Sequence, residues 1–167
     1  MNSPFQSNVL VIGIGNPLRG DDGVGRIVAR RLQERAIPNL RVLELDGEIT
    51  SLLEAWKGLR AVIVVDAAAS HSAPGTVHRF EAIQSALPGK IFQNSTHAFG
   101  LHEAVELSRA LHQLPQRLVV FGIEGKSFAL GGELSVDVEQ AATKVVDRIN
   151  EARPLLRKVR GRRIERR

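Results

Sequence analysis

The chain contains no cysteine. That absence excludes a disulfide framework, a thiolate metal site and a cysteine nucleophile together. No stretch approaches the roughly eighteen consecutive apolar residues that a membrane-spanning helix requires. Met1–Ser7 carries no charge and leads straight into an apolar segment. It lacks the basic start and apolar middle of a secretory signal. The expected location is therefore the cytoplasm, without membrane insertion. No G-x-S-x-G turn is present to expose an activated serine. The histidines, His71, His78, His97, His102 and His112, include no pair at the i, i+4 spacing of a zinc-binding helix.

Acidic charge is scarce in one place only. Residues 153–167 hold eight Lys/Arg against one Glu, whereas the rest of the chain sums to −2 within a net charge of +5. The basic balance thus belongs to the tail and not to the body. No aromatic side chain is interleaved with those arginines, so nothing there offers base stacking. No nucleic-acid partner is expected, and a solvated end accounts for the composition. With 167 residues, 43% hydrophobic and 25% charged, the chain fits one globular domain. We divide it into an α/β domain over 1–152 and a basic tail over 153–167.

What is present is a regular alternation. Val9–Ile14, Leu40–Leu45, Ala61–Val65 and Leu118–Phe121 are short apolar runs of the kind buried on both faces of a sheet. Thr76–Phe80 alternates like an edge strand. Between the runs, apolar residues recur at helical spacing over 24–36, 49–57, 101–114 and 138–149, with Ser135 able to cap the last of these. This order predicts a three-layer α/β sandwich: a twisted, mostly parallel sheet with helices on both faces. Ligands of such sheets bind beyond the carboxyl ends of the strands, so function belongs in the loops that follow them.

The first of those loops reads Gly13-Ile-Gly-Asn-Pro-Leu-Arg-Gly-Asp-Asp-Gly-Val-Gly25. A dinucleotide fingerprint needs glycine where Leu18 stands, and a phosphate loop needs Gly-Lys-Ser/Thr where Asp21-Asp22-Gly23 stands. A carboxylate about 4 Å from a phosphate repels it by roughly 1 kcal/mol even in water. The turn is built for something other than an anion. Asp21 can serve as a helix cap. One acid suffices for capping, which leaves Asp22 free to point across the sheet rim. Asp66 closes the run Val-Ile-Val-Val-Asp at the same rim. Ser95 or Thr96 can cap the helix of 101–114, which would put His97 in its first turn. There the helix dipole favours the neutral imidazole that a metal ligand must be. Each has a plain structural alternative: a cap, a strand end that accepts amides, an incidental ring. Gathered at one rim, Asp22, Asp66 and His97 would suit a borderline divalent ion with positions left open.

The segments "GIGNPLRGDDGVG", "VVDAAAS", "STHAFGLHEAVELSRAL" and "VVFGIEG", in that order from about residue 8 to residue 150, resemble the hydrogenase maturation proteases. These nickel-dependent endopeptidases trim the C-terminus of the large subunit of nickel–iron hydrogenases. The resemblance implies an α/β sandwich. It assigns the family's three metal-contacting residues to Asp22, Asp66 and His97, in both catalytic and metal-contacting roles. It also implies that nickel arrives with the precursor as the recognition element. The hydrogenase large-subunit precursor is then the expected partner; the oligomeric state is left open. Cleavage could use a metal-polarised carbonyl with Asp22 or Asp66 as general base. Where many members carry D-G-G-T after the second strand, this chain has Asp46-Gly47-Glu48-Ile49, a bulky charge in place of a small residue. Three alternatives stand beside this reading. They are a non-catalytic chaperone for hydrogenase precursors, an endopeptidase of the same fold acting on another protein, and a module binding a nucleotide or small acid.

Overall fold

The structure is a computed structural model that describes residues 9–92 and 100–157. Five strands form one sheet: β1 (Val9–Ile14), β2 (Leu40–Leu45), β3 (Ala61–Ala68), β4 (Val77–Glu81) and β5 (Arg117–Glu124). Their order is β2-β1-β3-β5-β4. All neighbours are parallel except the edge strand β4, which runs antiparallel to β5 with Val77 opposite Ile123. The two-sided apolar strands explain the layers. Along β1, Val9 and Val11 join one core, whereas Leu10, Ile12 and Ile14 join the other. The first core is closed by α1 (Val24–Glu34) and α4 (Val136–Arg157), the second by α2 (Ile49–Trp56) and α3 (Leu101–Ala110). The expected three-layer α/β sandwich is what forms. Among the described residues no helix is long and apolar enough to cross a membrane.

Several boundaries differ from the sequence reading, each for a local reason. β3 and β5 run on together past Val65 and Phe121, pairing Asp66 with Gly122 and Ala68 with Glu124. Gly122 does not end the strand; its missing side chain admits the Phe92 ring, whose atoms would lie 3.1 Å from a Cβ there. α3 stops at Ala110, before the expected Leu114, because His112 turns to φ +55°. Leu114 still packs on the core, so the apolar spacing continued where the helix did not. α3 begins at Leu101 with Gly100 as its cap, whose N–H donates to Glu103 Oε2 at 2.8 Å; the expected caps Ser95 and Thr96 lie outside the described residues. The basis for putting His97 in that helix's first turn is thereby removed. α4 continues five residues into the basic segment, to Arg157, and buries Leu156 in the core.

α1 lies unusually close to the sheet. A Cβ on Gly25 would fall 2.3 Å from the carbonyl oxygens of both Ile14 and Val65, and one on Gly13 would fall 2.2 Å from Gly25 O. Only paired glycines allow this approach, which seats the start of α1 on the ends of β1 and β3. Both obstacles are backbone atoms, so neither can swing aside. Gly25→Ala is expected to lower unfolding stability by about 2 kcal/mol or more, read from the denaturant midpoint. A variant as stable as the parent would show that the helix can lift off without loss.

Candidate functional site

The strand order reverses between β1 and β3, since the chain passes from β1 outward to β2 and returns on the other side as β3. A crevice opens at such a switch point beyond the carboxyl ends of the strands. Two of the three expected site residues meet there. Asp22 lies in a single-turn 3-10 helix, Gly20–Gly23, wedged between β1 and α1. Asp66 lies two residues before the end of β3 rather than closing it. Their residues are only 6% and 7% exposed. Asp22 Oδ2 accepts the Asn16 N–H at 3.0 Å. Asp66 Oδ1 accepts the N–H of its own neighbour Ala67 at 2.8 Å.

Burial drives the electrostatics. It pushes the Asp22 carboxyl above the usual carboxylate range, against the opposing pull of the Asn16 N–H and the Arg19 guanidinium. Asp66 is pushed well above that range, by burial first and then by the negative charge of Asp22, with only the Ala67 N–H opposing. The two carboxylates are therefore close enough to repel. Like charges desolvated at one rim are stabilised either by a proton or by a cation between them. His97, the third expected member, lies outside the described residues.

The two adjacent aspartates have divergent roles. Asp21 does not cap α1, whose N-cap is Gly23 without a side-chain hydrogen bond. Its fully buried carboxylate accepts the N–H groups of Lys126 (2.7 Å), Ser127 (2.9 Å) and Ser135 (2.7 Å), together with the Ser135 hydroxyl (2.8 Å). Burial alone would raise its pKa, but these donors outweigh burial and hold the carboxyl below its ordinary value. Gly23 and Gly25 serve close packing: a Cβ on Gly23 would meet Pro17 Cα at 2.9 Å.

One buried acid escaped the sequence reading. Glu124, at the end of β5, accepts the Ser70 N–H at 2.7 Å and the Ser70 hydroxyl at 2.8 Å, and its Oε2 lies 3.2 Å from His78 Nε2. These bonds overcome burial and lower its pKa. The Ser70 hydroxyl is engaged by the carboxylate and lies 3.4 Å from His78 Nε2. That is not the relay in which an imidazole draws the proton from a serine. Glu124 instead ties the loop after β3 to β5. The rule that drew attention to Asp66, an acid closing an apolar strand, applies equally here once β5 is extended past Gly122. Glu48, the departure after β2, is exposed at the N-terminal end of α2 and accepts the Thr50 hydroxyl at 2.6 Å. Its charge sits at the positive end of that helix.

The family model for hydrogenase maturation proteases matches residues 26–152. This chain belongs to the hydrogenase maturation protease family. The matched span includes Asp66 and position 97 and begins four residues after Asp22. Among individual family proteins, the hydrogenase 2 maturation protease of Escherichia coli is 28% identical over 153 residues, covering 86% of this chain and 92% of that protein. HupD of Thiocapsa roseopersicina, a hydrogenase expression/formation protein, is 28% identical over 83% of this chain but only 64% of its own length. The solved structure of the [NiFe] hydrogenase maturation protease HybD from Thermococcus kodakarensis superposes with a TM-score of 0.70 at 29% identity, covering 87% of this chain and 99% of that one. Family and fold together support the role of a maturation endopeptidase.

The raised pKa of Asp66 has a consequence for stability. Its folded form holds the proton more tightly than the unfolded chain does, so stability falls as pH rises from the ordinary carboxylate range through the raised value. Asp66→Asn removes that slope. It is expected to raise the melting temperature at neutral pH by a few degrees while leaving it nearly unchanged at pH 4, as followed by circular dichroism. A lower melting temperature at neutral pH would mean that the ionised form is favoured by the fold.

Proposed function

We propose that this protein removes the C-terminal extension of a nickel-loaded hydrogenase large-subunit precursor, and that Asp22, Asp66 and His97 contact the precursor's nickel. The observation that carries the reading is the pair of buried, mutually repelling carboxylates at the switch point of the sheet. A divalent ion presented by the precursor relieves that repulsion, so a loaded precursor binds and an empty one does not. Two oxygen donors and an imidazole are a reasonable set for nickel.

Support for His97 as the third contact comes from the described residues on either side of its segment. Ile91 O accepts the Ala69 N–H at 2.9 Å, which ties the chain to the loop directly after β3. His97 comes five positions after Phe92, a reach of up to roughly 17 Å. Asp66 shares strand parity with Val62 and Val64, which face the α2–α3 layer, and the segment leads into α3. A carboxyl whose pKa burial has raised is suited to exchanging protons during hydrolysis, so Asp66 is the better candidate for a general base. The nucleotide-binding alternative is disfavoured because the same rim would repel a phosphate.

The test is to incubate the purified chain with nickel-loaded and nickel-free precursor and to weigh the products. Loss of the extension from the loaded form alone is expected; equal trimming of both would remove nickel recognition. Binding with no change in mass would favour the precursor chaperone. Asp22→Asn, Asp66→Asn and His97→Ala should each reduce processing by about a hundredfold or more with unaltered far-ultraviolet circular dichroism. Undiminished activity in any two of the three would discard the site.

A further inference from the structure

We infer that Asp21 is a positioning residue for Asp22: it locks the first loop to the loop after β5 and so holds the Asp22 carboxylate at the rim. This deepens the reading that Asp22 contacts nickel, and it rests on that reading for its functional meaning. The geometry is two-sided. The Asp21 N–H donates to Ser127 O at 2.9 Å, while its carboxylate collects four hydrogen bonds from residues 126, 127 and 135. Residue 21 is thus pinned through both backbone and side chain to segments more than a hundred positions away. One peptide link later, Asp22 donates its N–H to Arg19 O at 3.1 Å and accepts the Asn16 N–H at 3.0 Å. Its carbonyl is held against Gly15, where a Cβ would come within 1.8 Å.

Among the described residues, the Asp21 bonds are those that join the two loops within the turn itself. Besides the Asp21 bonds, the Gly131 N–H to Leu18 O bond, at 2.8 Å, joins the same two loops, and it lies three residues before Asp21. A carboxylate is the fitting group because all four partners are donors and an ionised acid only accepts. An asparagine of the same shape would aim its own N–H₂ at N–H groups, leaving donors unpaired. With the anchor gone, the 3-10 turn keeps its sequence but loses the constraint that aims residue 22.

Amide hydrogen exchange on the full chain tests this without reference to nickel. The Asn16 N–H reports whether the Asp22 carboxylate is in place, and the β3 amides report the core. In Asp21→Asn, Asn16 exchange should accelerate by about tenfold or more with the β3 amides unchanged. Ser135→Ala, which removes one hydroxyl donor and spares the carboxylate, should give a smaller acceleration and covers the case in which Asp21→Asn does not fold. Unchanged Asn16 exchange in a folded variant overturns the inference. A second arm titrates nickel ions alone by calorimetry. Asp21→Asn should weaken binding about tenfold in the parent and not at all in an Asp22→Asn background. Equal weakening in both backgrounds overturns the positioning role. A parent chain that binds no free nickel ion is what nickel arriving with the precursor would give, and the exchange measurement alone then decides the role of Asp21.

Discussion

The close seating of α1 on the ends of β1 and β3 is the constraint from which the rest of the site follows. Gly13 and Gly25 bring helix and sheet together at a distance no side chain permits. The turn that precedes α1 is thereby pressed onto the rim between the two strands, at the point where the strand order reverses. Asp22 meets Asp66 because the backbone beneath them is packed without side chains. The glycines that look like a phosphate cradle are used for helix–sheet contact, and the rim they create is occupied by acid.

Two aspartates in succession divide the work by facing opposite ways. Asp21 is saturated with donors, and its carboxyl is held low; Asp22 has one backbone donor and partial relief from Arg19, and its carboxyl is held high. The same residue type, one position apart and comparably buried, thus serves as a structural anion in one case and a strained one in the other. What differs is the count of hydrogen bonds, which decides whether burial or pairing prevails. Asp66 carries the same logic further, since the Asp22 charge adds to its burial. A fold that holds two such groups gives up stability at neutral pH.

Glu124 shows that the rim is braced on its other side as well. It binds Ser70 through backbone and side chain and approaches His78 on the edge strand, so the loop leaving β3 is fixed just beyond Asp66. Asp21 lies beside Asp22 in the same turn, and Glu124 stands opposite Ala68, two residues after Asp66 on β3. Rigid support of this kind is what holds a reactive carboxylate in one geometry.

The layered architecture, the helix spacing and the position of Asp22 and Asp66 at the carboxyl side of the sheet were legible in the amino-acid order, because they depend on local periodicity and on acids that interrupt apolar runs. The motif order of the family was legible for the same reason. The ends of β3, β5 and α3 were not, since pairing between distant strands carried the sheet past Gly122 and a left-handed residue at His112 ended the helix early. Nor was the direction of Asp21. Viewed locally it is a helix cap; in the folded chain its partners lie 105 to 114 positions away. A side chain leaving a turn takes the direction in which its hydrogen bonds are satisfied, and those donors come within reach only when α4 packs beside α1. Composition and periodicity determined which residues could form a site, and tertiary packing decided which carboxylate braces it and which faces the rim.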